Sequence, residues 1–239
     1  MEVDVPRRKP NLMFVGDGRV NTFITASRNV VDGSTTFNSS TVGNGFLAMD
    51  ITFQNTAGPS KHQAVALRVG SDLSAFYRCD MLAYQDTLYV HSLRQFYSGC
   101  LIAGTVDFIF ENAAANTGIV IQKCRIGATR DLEAVKANFP TYLGRPWKQY
   151  SRTVIMQSVI SDVINPAGWF PWNGDFALNT LTYREYQNTG PGANMSSRVT
   201  WTGYSLITNA SEAQSYTARN FISGVNWLNA TGFPFSLNI

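Results

Sequence analysis

Two stretches of the sequence decide the fold: Cys79-Asp-Met-Leu-Ala-Tyr-Gln-Asp-Thr-Leu-Tyr89 and Cys100-Leu-Ile-Ala-Gly-Thr-Val-Asp-Phe-Ile-Phe110. They align without a gap, so that Cys79 matches Cys100 and Asp86 matches Asp107. Each begins with a cysteine, carries an aspartate at its eighth position and ends in an apolar run with an aromatic residue. A repeat of about 20–30 residues built from short strands is typical of a solenoid, in which each coil stacks on the one before. The repeat therefore predicts an all-β solenoid.

Short apolar runs elsewhere in the chain support strands. They are rich in β-branched and aromatic residues and are closed by Gly, Asn or Asp, which is the usual pattern of strands and turns. They recur at 12–15, 46–53, 64–69, 87–90, 106–110, 118–122 and 153–157. A β-sandwich also has many short strands and is the alternative left open by this pattern. After about residue 180 the repeat is lost, and the segments 183–186 and 212–220 predict short helices that cover the open end of the solenoid.

The composition excludes several classes of protein. Charged residues make up 15% of the 239 residues, against about 25% in an average protein. This low fraction excludes a coiled coil, a charge-rich tail and a disordered chain. The net charge of +3 is too small and too dispersed to indicate nucleic-acid binding. No run approaches the ~18 apolar residues of a transmembrane helix, and the N-terminal stretch lacks the apolar segment of a signal peptide.

The repeated aspartates are the strongest candidates for chemistry. Stacked coils place equivalent positions about 4.8 Å apart, so the carboxyl groups of Asp86 and Asp107 are expected to be close neighbours. Two carboxylates at that distance resist ionising together, which raises one pKa and leaves a general acid beside a base or nucleophile. A pair of turn aspartates is the alternative. Each aspartate is followed directly by an apolar strand, which favours a place on a sheet face.

Other polar and aromatic residues are expected near the same coils. Gln85 precedes Asp86, and Gln63 lies about one coil earlier, so their amides could stabilise an oxyanion. Glutamine ladders are also ordinary solenoid packing, which leaves that role open. In the motif Arg145-Pro-Trp147, the guanidinium could hold a carboxylate ionised and the indole could face a sugar ring.

Other catalytic classes find no support in the sequence. His62 and His91 are the only histidines, and no G-x-S-x-G motif is present, so a serine–histidine triad is unsupported. No cluster has the spacing of metal ligands, and no glycine-rich phosphate loop is present. Neither a metal nor another cofactor is expected. The three cysteines, Cys79, Cys100 and Cys124, are an odd number that neither a disulfide scaffold nor a metal site explains.

Several long motifs resemble plant pectin methylesterases (pectinesterases). These motifs are Gly58–Val69, Ala83–Val90, Gly104–Phe110, Tyr142–Trp147, Ile164–Trp169 and Phe233–Leu237. The resemblance runs from about residue 8 to the end of the chain. It implies a single domain over residues 1–239 with a right-handed parallel β-helix fold. It also implies hydrolysis of the methyl esters of homogalacturonan (pectin) to pectate and methanol without a cofactor.

The resemblance assigns a role to each candidate residue. Asp107 would be the nucleophile that attacks the ester carbonyl, and Asp86 would act first as acid and then as base. Gln63 and Gln85 would stabilise the tetrahedral oxyanion, and Arg145 would keep Asp107 ionised. The substrate cleft would include Gln63 and Arg145 and a further set of residues: Thr36, Phe37, Tyr89, Phe110, Trp147 and Trp172.

The resemblance also implies the setting in which the protein acts. It implies a monomer secreted to the plant cell wall, with pectin as its partner and a proteinaceous pectinesterase inhibitor as a further one. It implies neither a nucleic-acid nor a membrane partner. Two alternatives stay open. One is a homologue or truncated isoform that binds pectin without catalysis, and the other is a glycosidase on the same fold, since glycosidases also use paired carboxylates.

The chain departs from the family's pattern in three places. The family's first coils and its secretion signal, upstream of residue 8, are absent. Glu111 replaces the glycine that usually follows the Phe-Ile-Phe motif. Residues 111–118 join directly what the family separates by about one coil, which would move Arg145 by about 4.8 Å relative to Asp107. Cys124 is then expected to stack near Cys100, either bridged to it or as a free thiol.

Overall fold

The protein is a stack of parallel β-coils. The structure, a computed structural model, describes residues 9–38, 41–91, 93–105, 108–111 and 118–239, and at positions 37, 110 and 111 it describes the backbone alone. The described strands are β1 Met13–Val15, β2 Phe23–Ala26, β3 Thr41–Val42, β4 Leu47–Met49, β5 Thr52–Asn55, β6 Leu67–Val69, β7 Ser74–Tyr77, β8 Asp80–Leu82, β9 Leu88–Val90, β10 Arg94–Ser98, β11 Leu101–Gly104, β12 Ile109–Glu111, β13 Gly118–Gln122, β14 Arg125–Ala128, β15 Gly144–Pro146, β16 Arg152–Met156, β17 Val159–Ile160, β18 Thr182–Tyr186 and β19 Tyr204–Leu206.

Three sheets run the length of the stack. Sheet A has the order β1-β4-β7-β10-β13-β16-β18-β19, sheet B the order β17-β14-β11-β8-β5-β2, and sheet C the order β15-β12-β9-β6-β3. Neighbouring strands in each sheet come from successive coils, and the pairings between the described strands are parallel. This topology confirms the parallel β-helix and excludes the β-sandwich, whose sheets are antiparallel.

The repeat in the sequence is the register of the middle coils. Leu101 pairs with Asp80 in sheet B, and Ile109 pairs with Leu88 in sheet C. Both pairs have the same separation along the chain as the two repeated cysteines, Cys79 and Cys100. Because side chains alternate between the two faces of a strand, this register keeps equivalent side chains stacked on the same face from coil to coil.

A sharp corner follows the sheet A strand in each of six successive coils. One residue there has a positive φ: Asp50, Arg78, Gly99, Lys123, Gln157 and Gln187. A single left-handed residue reverses the side-chain alternation, so the residue after it turns inward. In four of these coils the inward residue is apolar or a cysteine: Ile51, Cys79, Cys100 and Cys124. The corner thus explains why the first position of the repeat faces the interior.

The interior of the helix is filled by stacked aromatic and aliphatic side chains. Phe76 in β7 and Tyr97 in β10 are fully buried and stack with nearly parallel rings, 4.9 Å between centroids. Phe46 and Phe53 pack against the same Phe76 ring. Burying an aromatic side chain of this size contributes about 1.5–3 kcal/mol. The stacked interior therefore fixes the coils relative to one another.

The C-terminal region partly follows the sequence expectation. The predicted helix at 183–186 is wrong, because these residues belong to strand β18 and pair with β16 and β19. The expectation for 212–220 is confirmed: α2 spans Ala210–Ser215 and α3 spans Ala218–Phe221. One further short helix, α1 Arg130–Glu133, precedes β15. Among the described residues, no helix has the length and hydropathy needed to cross a membrane.

The C-terminal segment packs along the outer face of sheet A, whereas the sequence suggested that it covers the open end. It forms a second apolar cluster with five strands of that sheet. The strand residues are Ala75, Phe96, Val120, Val154, Met156 and Tyr186, and the segment contributes Ala213, Ala218, Ile222, Trp227, Leu228 and Phe233. These five strands of sheet A consequently have buried residues on both faces.

Candidate functional site

The outer face of sheet C carries a column of polar and aromatic residues. Arg68 in β6 pairs with Tyr89 in β9, and Tyr89 pairs with Phe110 in β12. Phe110 pairs in turn with Arg145 in β15. The strand neighbours of Arg68 and Tyr89 belong to the interior core, so these two side chains face outward. Three of the predicted site positions therefore lie on successive rungs of one sheet.

Asp86 and the two glutamines lie at the edge of the same sheet. Gln63 and Gln85 form a parallel bridge, which confirms that they occupy adjoining rungs. Asp86 follows Gln85 with a φ of +63° and is 7% exposed. A left-handed aspartate is a sparsely populated conformation, and such residues often cluster at functional sites. This corrects the expectation that the aspartate stands on a sheet face, because Asp86 lies in a turn between the bridge at Gln85 and strand β9, although the residue is buried.

Asp107 lies outside the described residues, so its pairing with Asp86 stays a prediction. The described strands on either side keep the same register. Leu82 pairs with Ala103 before the aspartates, and Leu88 pairs with Ile109 after them. Both pairs have the separation along the chain that relates positions 86 and 107. The side chains of Phe37 and Phe110 also lie outside the described part of the chain.

A cluster of aromatic side chains lies on one side of this column. The ring of Trp147 lies 5.9 Å from that of Tyr89 and 6.2 Å from that of Trp172. The Cζ atom of Arg145 lies 4.6 Å from the centroid of the Trp172 ring. Trp172 is 39% exposed. The structure thus brings together four of the predicted cleft residues around an accessible aromatic surface, while Thr36 lies half-buried in a separate 3-10 turn, Thr36–Asn38.

Sequence reasoning missed two residues of this column. The guanidinium of Arg68 lies 5.1 Å from the ring centroid of Tyr89, and the ring of His91 meets the same ring edge to face at 5.4 Å. Burial lowers the pKa of Arg68, and the nearby Tyr89 opposes the shift. Burial, with the charge of Arg68, lowers the pKa of His91. The sequence pattern that could have identified them is the alternation of side chains along a strand. Arg68 stands between two core residues, and His91 lies two positions after Tyr89.

A buried ion pair supports the aromatic side of the site. Arg198 donates to both carboxylate oxygens of Glu185, at 3.0 and 3.2 Å, and both side chains are almost fully buried. Trp169 donates from its indole N–H to the same carboxylate at 3.1 Å, and Tyr204 donates its hydroxyl at 3.2 Å. A Cβ atom at Gly144, which precedes Arg145, would contact the Trp169 ring. The network thus anchors Trp169 next to β15, and the backbone N–H of Phe170 donates to the carbonyl oxygen of Gly144 at 3.2 Å.

The three cysteines are buried free thiols. Burial raises the pKa of Cys79. Burial also raises the pKa of Cys100, and a hydrogen bond with Cys124 raises it further. Cys124 therefore stacks near Cys100 as expected, and of the two alternatives the structure has the free thiol. The same residues do not form a metal site, and no group of three His, Cys, Asp or Glu in the described chain could hold a metal ion.

The chemistry available at this site follows from its parts. A buried carboxyl group can donate and accept a proton, and two amides on adjoining rungs can donate hydrogen bonds to an oxygen that gains negative charge. Exposed indole faces suit the apolar faces of sugar rings. The guanidinium of Arg145 suits carboxylate groups.

Comparison with known proteins identifies a family. A family model described as pectinesterase matches residues 1–116 and 114–225. A pectinesterase from carrot, Daucus carota, is 64% identical over 99% of this chain and 85% of its own length. The solved structure of a pectin methylesterase from carrot superposes with a TM-score of 0.87 at 64% identity, over 99% of this chain and 85% of that one.

A second plant relative is longer than this chain. The Arabidopsis thaliana protein described as pectinesterase/pectinesterase inhibitor 3 is 65% identical over 99% of this chain, but the match covers 46% of that relative. The alignment with the carrot relative extends over 270 residues, against 239 residues here, so part of the relative has no counterpart in this chain. The family model itself matches in two stretches that meet at residues 114–116.

Proposed function

Because the chain belongs to the pectinesterase family, we propose that it hydrolyses the methyl esters of homogalacturonan to pectate and methanol. The observation that carries this proposal is that Gln63 and Gln85 bridge at the edge of sheet C directly before the buried Asp86, while Tyr89 of the same sheet packs against the aromatic pair Trp147 and Trp172. In this proposal they supply a proton donor, an oxyanion site and a sugar-binding face along sheet C. Of the described residues, Asp86 is the one we place at the centre of the reaction.

The proposed reaction has two steps. In the first, a carboxylate oxygen of Asp107 attacks the ester carbonyl, and the C–O bond to the methoxy group breaks as Asp86 gives that oxygen its proton. Methanol leaves, and an anhydride joins Asp107 to the substrate. In the second step Asp86 takes a proton from water, the hydroxyl attacks the same carbonyl carbon, and Asp107 leaves as a carboxylate. The amides of Gln63 and Gln85 stabilise the negative oxygen in both steps.

Arg145 and the aromatic residues bind and orient the polymer. We assign Arg145 to the carboxylates of the site and of de-esterified sugar units, because a guanidinium pairs well with a planar carboxylate. Trp147 and Trp172 offer ring faces to the sugars, and Tyr89 packs against the Trp147 ring. We add Thr36, Phe37 and Phe110 to the cleft from the family resemblance alone.

We also propose that the chain is a single β-helix domain that lacks one complete coil near residues 111–118. In sheet A the coils differ in length, as the pairings of Ser74 with Gln95 and of Met13 with Leu47 illustrate. The excess of the 270 aligned residues over the 239 residues of this chain falls within that range of coil lengths. Removing a whole coil preserves the strand phase, and β12 pairs directly with β15 in this chain.

The partners and the location belong to the same proposal. The substrate is a polyanion, and the pI of about 8.8 suits such a partner. We propose that the protein acts as a monomer in the plant cell wall and is open to a proteinaceous pectinesterase inhibitor, as the name of the Arabidopsis relative couples these two activities.

Methanol release from highly methylated pectin tests the proposal. The wild-type chain should release methanol, while Asp86→Asn and Asp107→Asn should each reduce the rate by at least about a thousandfold, since each removes a group that forms or breaks a bond. Asp17→Asn, at an exposed position between β1 and β2, is the matched control and should leave the rate unchanged. Pectin binding without methanol would support the non-catalytic alternative. New reducing ends without methanol would support a glycosidase.

A further inference from the structure

A short ladder of hydroxyl and carbonyl groups joins four successive coils beside the site. Both the backbone N–H and the side-chain hydroxyl of Thr105 donate to the carbonyl oxygen of Tyr84, at 2.7 and 2.8 Å. The hydroxyl of Thr141 lies within hydrogen-bond distance of two carbonyl oxygens, and the shorter contact, at 2.8 Å, is with Thr105, against 3.0 Å for Phe139. The backbone N–H of Asn165 donates to the carbonyl oxygen of Thr141 at 2.7 Å. Each of these residues is thus hydrogen-bonded to the equivalent corner of the next coil.

The ladder connects two residues of the proposed reaction. Tyr84 lies two positions before Asp86, and Thr141 lies four positions before Arg145. Strand β15 begins shortly after Thr141, so a displacement of Thr141 carries Arg145 with it. The Tyr84 carbonyl accepts two hydrogen bonds directly before the left-handed turn at Asp86. These two hydrogen bonds hold the backbone at Tyr84 and so help to fix the position of the turn.

The corner that contains the ladder is tightly packed. Thr87 and Thr141 are fully buried. A Cβ atom at Gly104 would collide with the hydroxyl of Thr87 and press on the carbonyl oxygen of Tyr84. Such packing leaves little room for the corner to relax if one hydrogen bond is removed, and a buried carbonyl without a donor costs about 1–3 kcal/mol.

We infer that Thr105 and Thr141 are positioning residues that set the spacing between the Asp86 turn and the Arg145 strand during ester hydrolysis. The inference rests on the proposed function. The two hydroxyls are neutral and act through the backbone carbonyls they hold. A displacement of about 1 Å at a reacting group can reduce the rate about a hundredfold, so a small shift of the ladder is enough to affect catalysis.

The bond between Thr105 and Thr141 also spans the position of the proposed missing coil. The two residues are 36 positions apart and lie on either side of residues 112–117. In a relative with an additional coil at that position, the two corners would be separated by another rung. The hydrogen bond from the Thr141 hydroxyl therefore joins the two coils that become neighbours when the coil between them is absent.

The test compares valine and serine at the same position. Thr141→Val keeps the shape and removes the hydroxyl, whereas Thr141→Ser keeps the hydroxyl. With methylated pectin as substrate, Thr141→Val should lower kcat about tenfold, leave KM within about twofold and move the pH profile of kcat, because the acid and the cation change their spacing. Thr141→Ser should restore both the rate and the profile. Thr105→Val should act in the same direction.

A matched control separates positioning from stability. Thr52 is a buried threonine in β5 whose hydroxyl donates to the carbonyl oxygen of Arg19 at 2.5 Å, on the coil before that of Asp86 and in a different sheet. Thr52→Val should lower the melting temperature and leave kcat and its pH profile unchanged. The double variant Thr105→Val/Thr141→Val should lose less activity than the product of the two single losses, because both residues act on one ladder.

The outcomes distinguish the inference from the proposed function. Absence of methanol with the folded wild-type protein would overturn the proposed function and the inference with it. An active wild type whose Thr141→Val variant keeps kcat and the pH profile would overturn the inference alone. The inference would equally be overturned if Thr52→Val moved the profile as much as Thr141→Val.

Discussion

The guanidinium of Arg145 lies over the indole ring of Trp172, with its Cζ atom 4.6 Å from the ring centroid. Trp172 also contacts Trp147, whose ring meets Tyr89. One partly exposed tryptophan therefore orients the cation of the site and contributes to the aromatic surface beside it. A cation over an indole face gains about 0.5–2 kcal/mol, depending on its exposure.

Replacing Trp172 should weaken substrate binding. We expect Trp172→Ala to raise KM for methylated pectin about three- to tenfold, because the variant loses a sugar-binding face and frees the Arg145 side chain. Trp172→Phe should recover most of the loss, since a ring remains. Phe23→Ala removes an exposed aromatic residue of similar character from sheet B and serves as the control. An unchanged KM in Trp172→Ala would contradict this role.

The buried pair of Glu185 and Arg198 should be essential for stability. Glu185→Gln leaves a guanidinium without its counter-charge in the interior, so the free energy of unfolding should fall by about 3–5 kcal/mol. Urea denaturation measures this change. Asp162→Asn removes a partner of Lys136 at an exposed ion pair and should change the unfolding midpoint little. Similar midpoints for the two variants would show that the buried pair does not hold this region together.

His91 should make the fold less stable at mildly acid pH. Burial and the charge of Arg68 lower the pKa of His91 in the folded protein. In the unfolded chain His91 has the ordinary histidine pKa of about 6.5. Just below that pH the unfolded state therefore binds a proton at His91, whereas the folded state does not. The contribution of neutral His91 to the free energy of unfolding is therefore complete above the ordinary pKa. It is lost as the pH falls from about 6.5 to the lowered pKa of the folded state.

Variants of the two histidines check this pH dependence. The difference in unfolding free energy between the wild type and His91→Gln should change over that pH window and be constant above it. His62→Gln, at an exposed position, should run parallel to the wild type. A parallel curve for His91→Gln as well would contradict the prediction.

The three thiols should be unreactive in the folded protein. Burial raises the pKa of Cys79 and Cys100, so the reactive thiolate form is scarce. A chromogenic disulfide reagent should detect no thiol in the native protein and three after denaturation. Ser196→Cys, at an exposed position, should add one thiol that reacts in the native state. A count of one after denaturation of the wild type would instead indicate a disulfide between two of the cysteines.

The amino-acid repeat alone is enough to predict the solenoid. Identical spacing of a cysteine and an aspartate in two successive segments is a direct consequence of stacked coils, because equivalent residues must occupy equivalent places. It therefore predicted the register of the middle coils in sheets B and C and the adjoining rungs of Gln63 and Gln85. The spacing contains no information on residues 183–186, where the repeat is lost and the helix expected from the sequence is strand β18.

Which side chains from distant segments meet is a matter of tertiary packing. Arg145 and Trp172 belong to no common repeat, so their contact depends on how the chain after β15 folds back. The Thr105–Thr141 bond depends likewise on the direct pairing of β12 with β15. The sequence repeat determines which residues are neighbours on the next coil. The paths of loops of variable length are determined by tertiary packing, and a repeat in the sequence does not contain that information.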